Sequence, residues 1–82
     1  MTKEDIFKRL SIFFKNSTIE IYDNTGDLNH FSILIISDMF NKLSLINRHK
    51  IIYNLFKDEL TREIHALQIK AFTPQEWNQK NI

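Results

Sequence analysis

Residues 44–77 read S-L-I-N-R-H-K-I-I-Y-N-L-F-K-D-E-L-T-R-E-I-H-A-L-Q-I-K-A-F-T-P-Q-E-W, and the fold follows from how this stretch divides. Ser44 is a helix cap, and Leu45, His49, Ile52, Phe56 and Leu60 then step at three or four residues along one face, with Leu55 beside them. That spacing predicts the longest helix of the chain, from about Leu45 to Leu60, with Lys50, Asn54, Lys57 and Asp58 outward. From Ile64 to Phe72 the period changes to two. His65, Leu67, Ile69 and Ala71 fall on one side and Ala66, Gln68 and Lys70 on the other, the pattern of a strand. Thr73-Pro74-Gln75-Glu76 starts another helix, with Thr as cap, Pro at the first position and Glu at the third. This short helix carries Trp77, expected as its core anchor.

Working back toward the N-terminus, Thr2 and Asp5 have the spacing of a capping box. Ile6, Leu10, Phe13 and Phe14 then predict a helix from about Lys3 to Lys15, broken at Asn16-Ser17. Phe7, Phe13 and Phe14 are expected in the core. Thr18–Tyr22 alternates as a strand with Ile19 and Ile21 on one side. The turn cluster Asp23–Asp27 contains the one glycine of the chain, Gly26. The next strand runs from His30 to Ser37, with Phe31, Ile33 and Ile35 on one face and Leu34 and Ile36 on the other. It reads as central and covered on both sides near its end. The short link makes the first two strands an antiparallel hairpin. Ser37-Asp38 caps a single turn through Met39 and Phe40, leading to Ser44.

The order is therefore α-β-β-α-α-β-α, an α/β (α+β) domain with a three-stranded mixed sheet and helices packed on it. A helical crossover joins the second and third strands, so they are expected to be parallel, joined right-handed. Parallel neighbours begin at the same end of the sheet. His30 and His65 open the two strands, and the loop 23–29 lies at that end as well. Strict alternation places the two histidines on opposite faces.

Eighty-two residues are expected to form one domain over 1–82, with a core of about 3–78 and a tail, 79–82, that frays. Hydrophobic residues make up 43% and include seven Phe, which speaks against disorder. The absence of cysteine rules out a disulfide or a thiolate metal site within the chain. A net charge of +1 does not by itself mark a nucleic-acid binder. The longest apolar run, Ile33–Ile36, is far too short to cross a membrane, no signal-like block stands at the start, and the expected compartment is the cytoplasm. No phosphate-cradling glycine loop, cysteine nucleophile or Ser-His-acid spacing favours an enzyme.

His30-Phe31 opening a strand that ends in Ser37, then Phe40, Asn47-Arg48-His49-Lys50, Ile64-His65-Ala66-Leu67 and Thr73-Pro74-Gln75-Glu76-Trp77 together resemble the BolA family. The resemblance covers roughly residues 4 to 78. It implies a fold similar to a class II KH domain and the role of a small adaptor that pairs with monothiol glutaredoxins. Such pairs hold a bridging [2Fe-2S] cluster, with thiolates from the glutaredoxin and glutathione and histidine from the BolA-like chain. The family's ligand falls on His65. Imidazole in place of thiolate raises a cluster's potential. Many relatives carry a second His or Cys in the loop between the first two strands; here residues 23–29 hold neither. His30, water and Asp27 remain alternatives to a one-histidine mode. Relatives also have Gly where Lys42 stands, so a turn that favours positive φ carries a lysine.

Read without the motif, His65 is a histidine packed beside Leu67; with it, a metal ligand. His30 stays open between an exposed strand residue and an auxiliary ligand. His49, on the apolar stripe, is expected to be structural, while Arg48, Lys50 and Lys42 are candidates for contact with a partner or with nucleic acid. The alternative function is nucleic-acid binding, through the short-helix/long-helix pair from Asp38 to Leu60 or a KH-like surface, although a G-x-x-G clamp is absent. The chain is expected to be a monomer alone and a heterodimer with its partner.

Overall fold

The computed structural model describes residues 1–60 and 62–80. The elements are α1 (Lys3–Phe13), β1 (Thr18–Asp23), β2 (His30–Ile36), a single 3-10 turn (Asp38–Phe40), α2 (Leu45–Leu55), β3 (Ala66–Phe72) and α3 (Pro74–Lys80). The sheet order is β1-β2-β3, with β1 antiparallel and β3 parallel to the central β2. The register sets Ile21 against Ile33 and Ile33 against Ile69, so apolar residues form continuous rows across the sheet.

Each helix begins where its cap chemistry places it. Thr2 Oγ1 accepts from the Asp5 amide at 3.1 Å while Asp5 accepts from the Thr2 amide at 3.0 Å. Ser44 Oγ caps α2 through the Asn47 amide at 3.2 Å. Thr73 and Glu76 form a second reciprocal box, at 2.8 and 3.1 Å. Ser37 is buried, and its hydroxyl accepts from the Met39 amide and from Ser17 Oγ. The α3 helix runs to Lys80, two residues into the stretch expected to fray; residues 81 and 82 lie outside the described residues.

One core cluster joins the inner faces of α1 (Ile6, Leu10), β2 (Phe31, Ile33, Ile35), α2 (Ile52) and β3 (Leu67, Ala71) with Phe14, Phe40, Phe56 and Ile64. Each of these large side chains stabilises the fold by about 1.5–3 kcal/mol relative to exposure. Phe14 is in the core as expected, but Phe7 and Phe13 are 49% and 41% exposed. Phe7 lies off the line through Ile6 and Leu10 that α1 presents to the sheet, and Phe13 is the last residue of α1, before Phe14 leaves the helical path as C-cap.

The α2 helix departs from its expected form in length and in phase. It ends at Leu55 rather than Leu60, because Phe56 leaves the helical path as C-cap and turns carry the chain on. Its inward residues are Arg48 and Ile52, not His49 and Leu45; Leu45 is exposed. Arg48 is 5% exposed. Its guanidinium donates to the carbonyls of Leu43 (3.0 Å) and Ala71 (3.1 Å) and pairs with both Glu76 oxygens at 2.7 and 3.2 Å. It also lies 5.6 Å from the Phe40 ring centroid. Arg48 thus ties α2, β3 and α3 together, as Arg9 ties α1 to the segment after α2 through Leu55 O and Glu59.

The backbone at Lys42 has φ 66°, so the turn takes the positive-φ conformation despite the lysine. A non-glycine residue there carries local strain.

Candidate functional site

His30 opens β2 opposite Ala66, the first residue of β3, so His65 sits just ahead of the parallel strand's start. The amides of His65 and Ala66 both donate to the Asn29 carbonyl, at 2.8 and 3.1 Å. That shared acceptor pins His65 to the end of the β1–β2 loop. The ring centroids of His30 and His65 are 6.2 Å apart with planes at 76°. The expectation of opposite faces is therefore corrected: His65 lies in a bend before the strand, where alternation does not apply, and its ring comes edge-on to that of His30. His65 is exposed rather than packed in the core beside Leu67, and the His30 side chain is 42% exposed.

The loop beneath them is built from its own polar groups. Asp23 accepts from the amides of Gly26 (3.1 Å) and Leu28 (3.2 Å), the two loop residues with positive φ. Asp27 accepts from the Thr25 hydroxyl and from the Asn29 amide, and its Oδ1 lies 3.5 Å from His30 Nδ1. The Thr25 hydroxyl, followed by the Asn29 amide and His30, holds the Asp27 carboxyl below its ordinary value. Asp27, one of the alternatives that the sequence leaves open for this loop, thus stands beside His30.

Two imidazoles and a nearby carboxylate are gathered at this lip of the sheet. Among the described residues no group of three His, Cys, Asp or Glu side chains is arranged to hold a metal ion. With no cysteine in the chain, it has no thiolate to offer a metal here.

The remaining candidates divide. Lys42 and Lys50 are exposed. Lys50 lines a shallow depression on α2 with Tyr53, Asn54 and Lys57. Arg48, a candidate for partner contact, is turned inward and held as described. His49 is half-buried with its ring 6.5 Å from Tyr53, whose hydroxyl donates to the Leu67 carbonyl at 3.0 Å. The fixing of helix to sheet expected of His49 falls to Arg48 and Tyr53. Trp77 is half-buried, its ring 5.5 Å from Phe72, so it lies against the sheet edge rather than in the core. No helix among the described residues is long and apolar enough to cross a membrane.

A parallel pair with two histidines at its mouth, backed by a one-turn helix and a capped crossover helix, defines a small α+β domain of a known kind. The BolA-like protein family matches residues 10–76, and the chain belongs to that family. Among curated proteins it is similar to the DNA-binding transcriptional regulator BolA of Haemophilus influenzae, 40% identical over 60 residues, which cover 73% of this chain and 58% of that protein. Among solved structures, a Bol-like protein from Babesia bovis superposes with a TM-score of 0.86 at 28% identity, over all of this chain and 95% of the other. The BolA domain of SufE1 from Arabidopsis thaliana gives 0.81 at 34% identity, over 93% of this chain and 98% of that one.

Proposed function

We propose that the protein is an adaptor that pairs with a monothiol glutaredoxin and contributes His65 to a bridging [2Fe-2S] cluster, in cluster trafficking or iron and redox regulation. The observation that carries this reading is the exposed His65, fixed by its own amide to Asn29 and set 6.2 Å from His30. The cluster supplies electron-transfer or transferable iron-sulfur chemistry, with thiolates from the glutaredoxin and glutathione. This chain's part is to hold an imidazole at the partner's surface, with His30 as the auxiliary group and the loop 23–29 as its support. The domain needs no catalytic group for this role.

The test is anaerobic reconstitution with a monothiol glutaredoxin and glutathione, read by visible absorption and circular dichroism. A mixed complex is expected, with a spectrum that changes in His65→Ala and changes less in His30→Ala. Failure to form the complex, or a His65→Ala spectrum like that of the wild type, would sink the assignment.

A second reading, regulation through nucleic-acid binding, is favoured by the name of the Haemophilus relative. A helix-turn-helix is not the support for it, since the element ahead of α2 is a three-residue 3-10 turn. With Arg48 held inside, Lys42 before α2, Lys50 on it and Lys57 just after it are what this part of the chain offers to phosphate.

A further inference from the structure

The face of the sheet turned away from α1 and α2 holds a groove of about 430 Å³ between β1, β3 and α3. The register arranges its floor in rows: Tyr22, Ser32 and Gln68; then Glu20, Leu34 and Lys70; then Phe72. Tyr22 is 52% exposed at one end. At the other, the Trp77 ring sits by Phe72, and Lys80 Nζ lies 5.3 Å from the Phe72 centroid. The two aromatic ends are four residues apart along the strand, about 13 Å. Among the described residues neither Lys70 nor Lys80 has a carboxylate partner. A hydrogen-bonded chain runs from Asn24 Nδ2 to Ser32 Oγ (2.8 Å) and on to Gln68 Oε1 (3.0 Å). It fixes the Gln68 amide through its oxygen.

We infer that this groove binds single-stranded nucleic acid, with bases stacked at Tyr22 and Trp77 and phosphates on Lys70 and Lys80. Flat aromatic surface beside exposed lysines and a fixed side-chain amide suits a ligand that is itself flat, anionic and hydrogen-bonding. A duplex keeps its bases paired inside and offers only phosphate to such a face. Glu20, which accepts from the Tyr22 hydroxyl at 2.6 Å, lines the β1 side and repels phosphate, so the ligand's backbone follows the β3 and α3 side. The site is separate from the histidine pair and goes beyond the adaptor reading.

Trp77 is the one tryptophan in the chain and lines the groove, so its fluorescence reports on occupancy directly. Titration of the full chain with single-stranded decathymidylate is expected to give saturable quenching. The logarithm of the affinity should fall with that of salt concentration at a slope of about −1.4 for two phosphate contacts. Exchange of both exposed lysines (Lys70→Glu, Lys80→Glu) should weaken binding about tenfold or more, Tyr22→Leu should weaken it, and Glu20→Gln should tighten it. Far-ultraviolet circular dichroism checks that each variant is folded. Absence of quenching even at low salt overturns the proposal. So does equal quenching by a poly-glutamate peptide, or binding of duplex that is lost in Lys50→Glu and untouched by the Lys70 and Lys80 exchange. None of these outcomes bears on the glutaredoxin complex, which is read from cluster absorption.

Discussion

At the C-terminal end of the β2–β3 pair, the Arg48 guanidinium meets two carbonyls, a bidentate carboxylate and an aromatic face. At the N-terminal end, two imidazoles face solvent with a carboxylate and a hydroxyl at 3.5 Å from one of them. The same two strands position both groups. One end is closed and satisfies its polar atoms within the chain; the other is open, with ligating atoms in reach of a second molecule. Polar side chains that a domain needs for its own stability are buried and fully bonded. Those on offer to another molecule are held by the backbone alone, as His65 is.

This contrast breaks most visibly when each end is removed in turn. Arg48→Ala should destabilise the protein by about 2–3 kcal/mol, because the buried carbonyls of Leu43 and Ala71 lose their donor and Phe40 loses its cover. In a urea titration that appears as a lower midpoint with little change in slope. His65→Ala, by contrast, should stay within about 0.5 kcal/mol of the wild type, as an exposed substitution away from the core does.

Acid acts on the closed end through Glu76. Hydrogen bonds from Arg48, and then from the Thr73 amide, hold the Glu76 carboxyl from its ordinary 4.5 down to about 2. A carboxyl that is easier to ionise in the folded than in the unfolded state contributes its full stability above the unfolded value. That contribution is lost as pH falls from about 4.5 to about 2. The melting temperature should therefore drop across this window, and Glu76→Gln should be less stable at neutral pH with a flatter acid limb. An acid limb as steep in Glu76→Gln as in the wild type would assign the loss to other carboxylates, such as Glu59 and Asp5, which are also held low. The smallest effect belongs to the turn between the two ends: Lys42→Gly should relieve the left-handed strain at φ 66° and stabilise the protein by about 0.5 kcal/mol in the same titration.

Much of the fold was legible because it rests on local rules. Thr2, Ser44 and Thr73 cap their helices, the period-two runs became strands, and the crossover made β2 and β3 parallel with both histidines at one end. The misreadings involve residues whose partners are distant in sequence. His49 rather than Arg48 was read as the inward residue, because apolar periodicity tolerates a histidine on its stripe and excludes an arginine. The partner that lets Arg48 be buried, Glu76, lies 28 residues further on and is also a capping-box residue of α3. The facing of His65 depended on where the strand begins, and one residue decides it: with β3 starting at Ala66, His65 lies outside the alternation.

The Asn29 carbonyl, shared by the His65 and Ala66 amides, also has a meaning in time. The β1–β2 hairpin is local and can form within microseconds. The contact from His65 back to Asn29 spans 36 residues and waits for the whole crossover through α2 to close, the slow kind of step in folding. A chain emerging from synthesis thus exposes His30 long before His65 can join it. The paired imidazoles come into being together with the β2–β3 register, so the site is assembled late, by a protein that has otherwise taken its shape.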